Sequence, residues 1–210
     1  MEKTELEQID SEIKAEWLEA RRIREKLLGI IYVICGGAAT LFSFLLTLDK
    51  IEQVKDADAK FGCDVNLFIS CGSVMKTAQA EIFGFPNSII GLVVFAAIFG
   101  FGVSLINGFK PAQLIRWGLV LTMLGSLAMV VYLFLVSVFE LRTLCPYCSG
   151  VWLSTLLMVT STFAYAIQDL NLPFKVKNFF SHWLLNFGLI ALLALVLVIV
   201  QFFPLLMRSF

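Results

Sequence analysis

Five long apolar runs dominate this sequence of 210 residues and limit what it can fold into. A helix that crosses a bilayer needs about 20 mostly apolar residues and must satisfy its backbone hydrogen bonds internally. The chain is 59% hydrophobic and only 15% charged, far from the composition of soluble domains. The sequence therefore predicts an all-α, multi-pass membrane protein, with spans at residues 27–48, 87–107, 114–139, 145–167 and 183–207.

The segment before the first span, residues 1–26, has the pattern of an amphipathic helix. Leu6, Ile9, Ile13 and Trp17 recur at steps of three and four residues. We expect this helix on the cytoplasmic face, and a long charged segment before the first apolar run does not resemble a signal peptide. The 16 basic residues balance the 16 acidic ones, which argues against nucleic acid as a partner.

The placement of Lys and Arg orients the spans, because these residues are enriched in cytoplasmic loops. With the N-terminus inside, ten of them fall in inner segments and six in outer ones, and Arg21, Arg22, Arg24 and Lys26 directly precede the first span. The segment 49–86 and the start of the fourth span then lie outside. We expect a protein of the inner (cytoplasmic) membrane with its active site on the outer face.

Four of the five cysteines share that outer face. Cys63 and Cys71 lie in the outer segment, and Cys145 and Cys148 begin the fourth span. The outer side of a bacterial inner membrane is oxidising, so disulfides persist there. Cys35 falls inside the first span, where a free cysteine is usually a small buried apolar residue.

Cys145 and Cys148 form a C-x-x-C motif at a predicted helix start. Residues three apart share a helix face, and Pro146 suits the first helical position. A helix N-terminus lowers the pKa of a thiol, and the thiolate is the reactive form. By itself the motif is compatible with redox chemistry, half a zinc site or a structural disulfide.

Three stretches, in their order, resemble the vitamin K epoxide reductase family, and within it the bacterial members that support disulfide formation. They are the loop pair Cys63 and Cys71, the FGFPNS run at 83–88 and the CPYC motif at 145–148. The resemblance implies a four-helix transmembrane bundle around a quinone plus a fifth, peripheral helix. The expected divisions are the N-terminal helix 1–26, the catalytic domain 27–167 with its outer loop 49–86, and a cytoplasmic link with the fifth helix at 168–210.

The resemblance also implies a chemistry. Electrons would pass from a reduced protein dithiol through Cys63 and Cys71 to Cys145 and Cys148, and then to a membrane quinone, either ubiquinone or menaquinone. Cys148 would face the quinone. Many bacterial relatives carry a fused thioredoxin-like domain, whereas this chain ends after the fifth span, so we expect a separate DsbA-like, thioredoxin-fold partner.

Two residues are candidates for binding the quinone, which needs an apolar slot with a few hydrogen-bond donors. The FGFPNS match favours Asn87 as a donor to a quinone carbonyl, and the alternative is a helix N-cap. Trp152 lies four residues after Cys148, on the same helix face, and the alternative is an interfacial tryptophan.

Phe83 and Met75 are further pocket candidates. Both belong to residues 72–83, where the spacing of apolar residues predicts a short amphipathic helix lying like a lid at the interface. The alternative is an ordinary interfacial helix.

Three other functions are compatible with parts of the pattern. Animal relatives reduce vitamin K epoxide and quinone. A four-cysteine zinc site is a second alternative, but the seven-residue gap between the loop cysteines argues against it, since zinc sites use closer pairs. The third is a membrane protein with structural disulfides, which would resist exchange.

Overall fold

The structure, a computed structural model, describes residues 2–56, 61–64, 69–166 and 182–208. Within these residues it contains no β-strand, only an isolated parallel bridge between Ile69 and Leu144, and the all-α prediction is confirmed. The helices in chain order are α1 (Glu2–Lys55), α2 (Cys71–Met75), α3 (Asn87–Ile106), α4 (Gln113–Leu135), α5 (Pro146–Ala166) and α6 (Trp183–Arg208).

In the part of the chain that the structure describes, four helices are long and apolar enough to cross a membrane. They are α1, α3, α5 and α4, and a π-helical turn extends α4 to Leu141. The predicted fifth span is helical as α6, in which the apolar stretch Leu185–Ile199 is described. Helix α1 packs against α3 and α5, and α4 packs against α5. Helix α6 contacts α5 from outside, so the architecture is a four-helix bundle with a peripheral fifth helix.

No break separates the predicted N-terminal helix from the first span. Helix α1 runs for 54 residues, about 81 Å at 1.5 Å per residue, and passes the predicted boundaries at Lys26 and Leu48. The physical reason is that residues 2–28 contain neither Pro nor Gly and are rich in strong helix formers. The cytoplasmic location of its N-terminal part stays a prediction.

The main core lies between α1, α3 and α5. Helices α1 and α3 approach closely at Gly29 and Gly102, where a Cβ on Gly102 would lie 2.7 Å from the Cβ of Tyr32. The fully buried Tyr32 hydroxyl and the Thr162 hydroxyl of α5 are hydrogen-bonded at 2.6 Å. Cys35 is buried in this same core, as predicted for a cysteine inside the first span.

A second, smaller core lies at the end of the bundle where α1 stops and α5 begins. Its buried members are Leu46, Phe61, Cys63, Cys71, Met75 and Cys145. The short helix α2 belongs to it, and Ser70 caps α2 by accepting a hydrogen bond from the Ser73 N–H.

The single amphipathic helix predicted over residues 72–83 is wrong. The segment forms α2 and then a 3₁₀ turn, Ala78–Glu81, because Thr77 between them has extended backbone angles. The predicted apolar face is divided as a result: Met75 is buried, whereas Ile82 is exposed.

Candidate active site

Four sulfur atoms line up at this second core. Cys63 and Cys71 are joined by a disulfide bond, and Cys145 and Cys148 are free thiols. The Sγ atoms of Cys71 and Cys145 lie 3.2 Å apart. The arrangement places a free thiol next to a disulfide, which is the geometry that thiol–disulfide exchange requires.

A short backbone pairing aligns Cys71 with Cys145. Ile69 and Leu144 form the parallel bridge, and the Ser70 N–H donates to the Leu144 carbonyl at 3.1 Å. Each bridge residue is followed within two positions by one of the two cysteines. The register of this bridge therefore determines which loop cysteine meets Cys145, a choice that sequence analysis left open.

Asp64 holds the disulfide-bonded loop in shape. Its carboxylate accepts hydrogen bonds from the Gly72 N–H at 3.0 Å, the Ser70 hydroxyl at 2.8 Å and the Phe61 N–H at 3.2 Å. Burial opposes its ionisation, but the hydrogen bonds from Gly72, Ser70, Phe61 and Cys71 together lower the pKa of its carboxyl. An ionised Asp64 thus ties the residues beside Cys63 to those beside Cys71.

Cys145 is set up as the more easily ionised thiol of the C-x-x-C motif. Hydrogen bonding from the Cys148 thiol, against the effect of burial, lowers the pKa of Cys145, and the N–H groups of Cys148 and Tyr147 add to the shift. The Cys148 N–H lies 3.3 Å from the Cys145 Sγ. Pro146 is the first residue of α5, as predicted, so the helix begins directly after this sulfur.

Cys145 is buried although it directly precedes the first residue of α5. Cys145 is only 1% exposed, whereas Cys148 is partly exposed. The reason is that the loop, with Cys71 at its centre, packs over the start of α5. Cys145 is accessible to a neighbouring sulfur rather than to a protein arriving from solution.

Both free thiols line a cavity of about 760 Å³. Its walls come from α1, α3, α4, α5 and the segment that contains the 3₁₀ turn, and they are mostly apolar. Ligand-binding cavities of this size and character suit a small aromatic molecule with few polar atoms. All four residues predicted from sequence for the quinone pocket, Asn87, Trp152, Phe83 and Met75, lie in its wall.

Asn87 bonds to the 3₁₀ segment and does not cap a helix. Its amide nitrogen donates to the Gln79 carbonyl at 2.7 Å, and its side-chain oxygen accepts from the Ile82 N–H at 3.3 Å. It is the first residue of α3, and Pro86 occupies the capping position. The N-cap alternative is therefore wrong, and Asn87 joins the cavity wall to the start of α3.

The other three pocket candidates differ in burial. Trp152 is buried and meets the ring of Phe134 edge to face, with 5.6 Å between ring centroids. Met75 is buried between the cysteines and the cavity. Phe83 is 61% exposed and its ring contacts that of Phe85, so it lies at the cavity mouth.

Two residues of this site were not identified from sequence. Asp49 Oδ2 lies 3.8 Å from the Cys63 Sγ, and the Lys50 ammonium bonds to the Met75 carbonyl at 2.7 Å and to Glu81 Oε1 at 2.9 Å. The sequence gives little indication of their role, because charged residues at the end of a span ordinarily lie at the membrane interface. Both positions are helical because α1 continues beyond the predicted span.

Among the described residues, no group of three or more His, Cys, Asp or Glu side chains is placed to hold a metal ion. Two of the four sulfur atoms that a zinc site would use, those of Cys63 and Cys71, are bonded to each other.

Comparison with known families agrees with this geometry. The model of the vitamin K epoxide reductase family matches residues 30–163, well over half of the chain. The matched range includes both cysteine pairs and every residue that lines the cavity. No curated protein is significantly similar to the chain.

Proposed function

The chain belongs to the vitamin K epoxide reductase family, and on that premise we propose that it transfers two electrons from an extracytoplasmic thioredoxin-fold protein to a membrane quinone. Membership of the family makes it a multi-pass membrane oxidoreductase that works through cysteines. The observation that supports electron transfer from a protein dithiol to a quinone is the row of sulfur atoms from Cys63 to Cys148, which ends in an apolar cavity.

The row of sulfur atoms supports an order of exchange. A thiolate of the partner attacks Cys63, forms a mixed disulfide with it and releases Cys71 as a thiolate. Cys71 then attacks Cys145 of an oxidised Cys145–Cys148 pair, and Cys148 leaves as the thiolate. The 3.2 Å separation of the Cys71 and Cys145 sulfurs supports this second step. The partner's second thiol then attacks the mixed disulfide and releases Cys63. Cys63 attacks Cys71 in the new Cys71–Cys145 disulfide, which restores the loop disulfide and releases Cys145. Cys145 and Cys148 are left as the reduced pair, so each cycle moves two electrons.

The cavity supports a quinone as the final acceptor, because a quinone takes up two electrons and two protons as it becomes a quinol. Cys148 and Trp152 lie in the cavity wall one helical turn apart on α5, so the thiol and a flat aromatic ring face the same space. The Asn87 amide group has two hydrogens, and only one is needed for its bond to Gln79. The second is suited to a carbonyl oxygen in the cavity.

The expected place of this reaction is the outer face of the cytoplasmic membrane. The basic residues before the first span support an inner N-terminus, which puts both cysteine pairs outside. Oxidising power delivered there would serve disulfide formation in exported proteins. A partner of the DsbA type has the reactive dithiol that the loop pair requires.

Anaerobic mixing tests the proposal directly. Oxidised protein is combined with a reduced DsbA-like protein and a short-chain ubiquinone or menaquinone, and quinol and free thiols are followed together. We expect one quinol for each partner dithiol oxidised. A Cys148→Ala variant should still be reduced at its loop disulfide but should form no quinol. Normal quinol formation by this variant, or none by the native chain with either quinone, would contradict the proposal.

A further inference from the structure

The carboxylate of Asp49 lies beside one of the two loop sulfurs. Its Oδ2 is 3.8 Å from the Cys63 Sγ, across 14 residues of sequence. Asp49 is held on α1, whereas Cys63 belongs to the loop, so the helix presents a carboxylate to one sulfur of the disulfide.

The surroundings of Asp49 are mostly negative or neutral. The titratable groups that face it are Glu52 on its own helix, Asp64 in the loop and Cys145 at the start of α5. Asp64 is held ionised by its hydrogen bonds. The neighbouring cation, Lys50, is already bound to Glu81 and to a backbone carbonyl. The Asp49 carboxylate, 3.8 Å away, therefore makes the Cys63 sulfur an unfavourable place for a second negative charge.

This field distinguishes the two sulfurs of the loop disulfide. In exchange, one sulfur receives the new bond and the other leaves as a thiolate, and the sulfur that is more stable as a thiolate leaves faster. A thiolate on Cys63 would lie beside the Asp49 carboxylate. A thiolate on Cys71 would lie in contact with the Cys145 sulfur, its acceptor in the next step.

We propose that Asp49 makes Cys63 the poorer leaving group, so that an incoming thiol forms its mixed disulfide on Cys63 and the electrons pass to Cys71. The step is balanced: the sulfur–sulfur bond between Cys63 and Cys71 breaks, a bond between the incoming sulfur and Cys63 forms, and Cys71 carries away the electron pair. The same charge opposes back-transfer, in which Cys145 would attack Cys71 and expel Cys63. Asp49 thus sets which of the two loop sulfurs receives the incoming thiol.

This role of Asp49 rests on the proposed function in one respect only, namely that electrons enter at the Cys63–Cys71 disulfide. Its test needs neither quinone nor partner protein. The full chain carrying Cys145→Ser and Cys148→Ser, which stops onward transfer, is treated anaerobically with 2-mercaptoethanol, a neutral thiol. After acid quenching and alkylation, peptide mapping gives the ratio of adduct on Cys63 to adduct on Cys71.

We expect most of the adduct on Cys63 when Asp49 is present. Asp49→Asn should shift the ratio at least fivefold towards Cys71, and Asp49→Glu should restore it. Glu52→Gln removes an equal charge one turn away on the same helix and should leave the ratio nearly unchanged. Mapping the intact Cys63–Cys71 disulfide before reduction shows that each variant has folded.

A second measurement separates an electrostatic role from a structural one. In a chain whose only cysteine is Cys63, the rate of alkylation is followed against pH. Asp49→Asn should move the midpoint to lower pH and increase the rate at neutral pH severalfold, whereas Glu52→Gln should not. The proposal would be overturned if Asp49→Asn left the adduct ratio unchanged, or changed the ratio without moving the pH midpoint of Cys63 alkylation. It would also be overturned if Glu52→Gln had an equal effect. Loss of quinol formation in the native chain would instead count against the proposed function alone.

Discussion

At the scale of single residues, Cys145 connects the two halves of the site. Its sulfur touches Cys71 on one side, and on the other it receives hydrogen bonds from Cys148. Its burial under the loop keeps this helix-start cysteine from direct contact with a protein in solution. The two contacts have separate consequences. The contact with Cys71 sets the exchange partner of Cys145, and the hydrogen bonds from Cys148 favour the thiolate form of Cys145.

The first prediction concerns that charge. Because the Cys148 thiol is the main cause of the lowered pKa of Cys145, Cys148→Ala should raise this pKa. A raised thiol pKa leaves less thiolate at pH 7, so alkylation of Cys145 in the reduced protein should be severalfold slower and its pH midpoint higher. Cys148→Ser keeps a hydroxyl donor and should fall between the two. A Cys148→Ala midpoint at or below that of the native chain would contradict this prediction.

The second prediction separates the fifth cysteine from the other four. Cys35 lies in the α1–α3–α5 core, away from the cavity wall. Cys35→Ala should therefore retain most quinone-coupled thiol oxidation, whereas alanine at Cys63, Cys71, Cys145 or Cys148 should reduce it to background. Quinol formation with a reduced DsbA-like protein measures both. Full activity after loss of any of the four would remove that residue from the proposed relay.

At the scale of elements, the contact between α1 and α3 positions the site. The helices touch through glycines, so α3 holds Asn87 at the cavity while α1 presents Asp49 and Lys50 at the loop. Small residues at such contacts allow backbones to approach closely in membranes, where packing rather than hydrophobic burial drives association.

A third prediction tests this contact. A side chain at Gly102 would meet the Cβ of Tyr32 at 2.7 Å and the Gly29 carbonyl at 2.9 Å, whereas one at Gly100 has nothing within 4 Å. Gly102→Leu should destabilise the bundle by about 1–3 kcal/mol, the usual cost of overpacking. Gly100→Leu, two residues away on the same helix, should unfold near the native temperature. Thermal unfolding of the purified protein in detergent compares them, and equal midpoints would contradict the close contact.

At the scale of the whole molecule, the bundle encloses an apolar cavity that both free thiols line. The fourth prediction concerns a substitution that fills this cavity. Gly125 of α4 lies in the cavity wall and has open space around its Cβ position, so Gly125→Leu should occupy the cavity without disturbing the fold. Quinol formation should fall sharply while reduction of the loop disulfide by a dithiol continues.

Gly118 provides the matched control for this substitution. It lies two turns earlier on α4, is equally open and is not part of the cavity wall. Gly118→Leu should keep native quinol formation. If Gly125→Leu had the same activity as Gly118→Leu, the quinone would have to bind elsewhere.

The fifth prediction concerns orientation. A cysteine introduced at Gln79, in a chain without its native cysteines, should react with a membrane-impermeant maleimide added to intact cells. One introduced at Gln113, at the start of α4, should react only after lysis. The basic residues before the first span are the reason for this expectation. The opposite labelling pattern would reverse the topology.

The sequence by itself determined the membrane class, the helical architecture and the family. These follow from local signals: apolar runs long enough to span a bilayer, and cysteine motifs that are recognised by their spacing along the sequence. It also identified four residues of the cavity wall, Met75, Phe83, Asn87 and Trp152, because they lie next to those motifs. It failed at the ends of elements, as where α1 continues to Lys55, since helix propensity there does not stop at the edge of the apolar run.

Only the tertiary structure decided which groups meet. Cys71 and Cys145 are 74 residues apart, and an isolated bridge between two loops sets their contact. Asp49 reaches Cys63 only because a long helix and a disulfide-bonded loop pack together at one end of the bundle. Cys145 is buried for the same reason. Such contacts depend on long-range packing, which no local pattern of residues encodes. In the proposed mechanism they govern which sulfur is attacked and which one leaves.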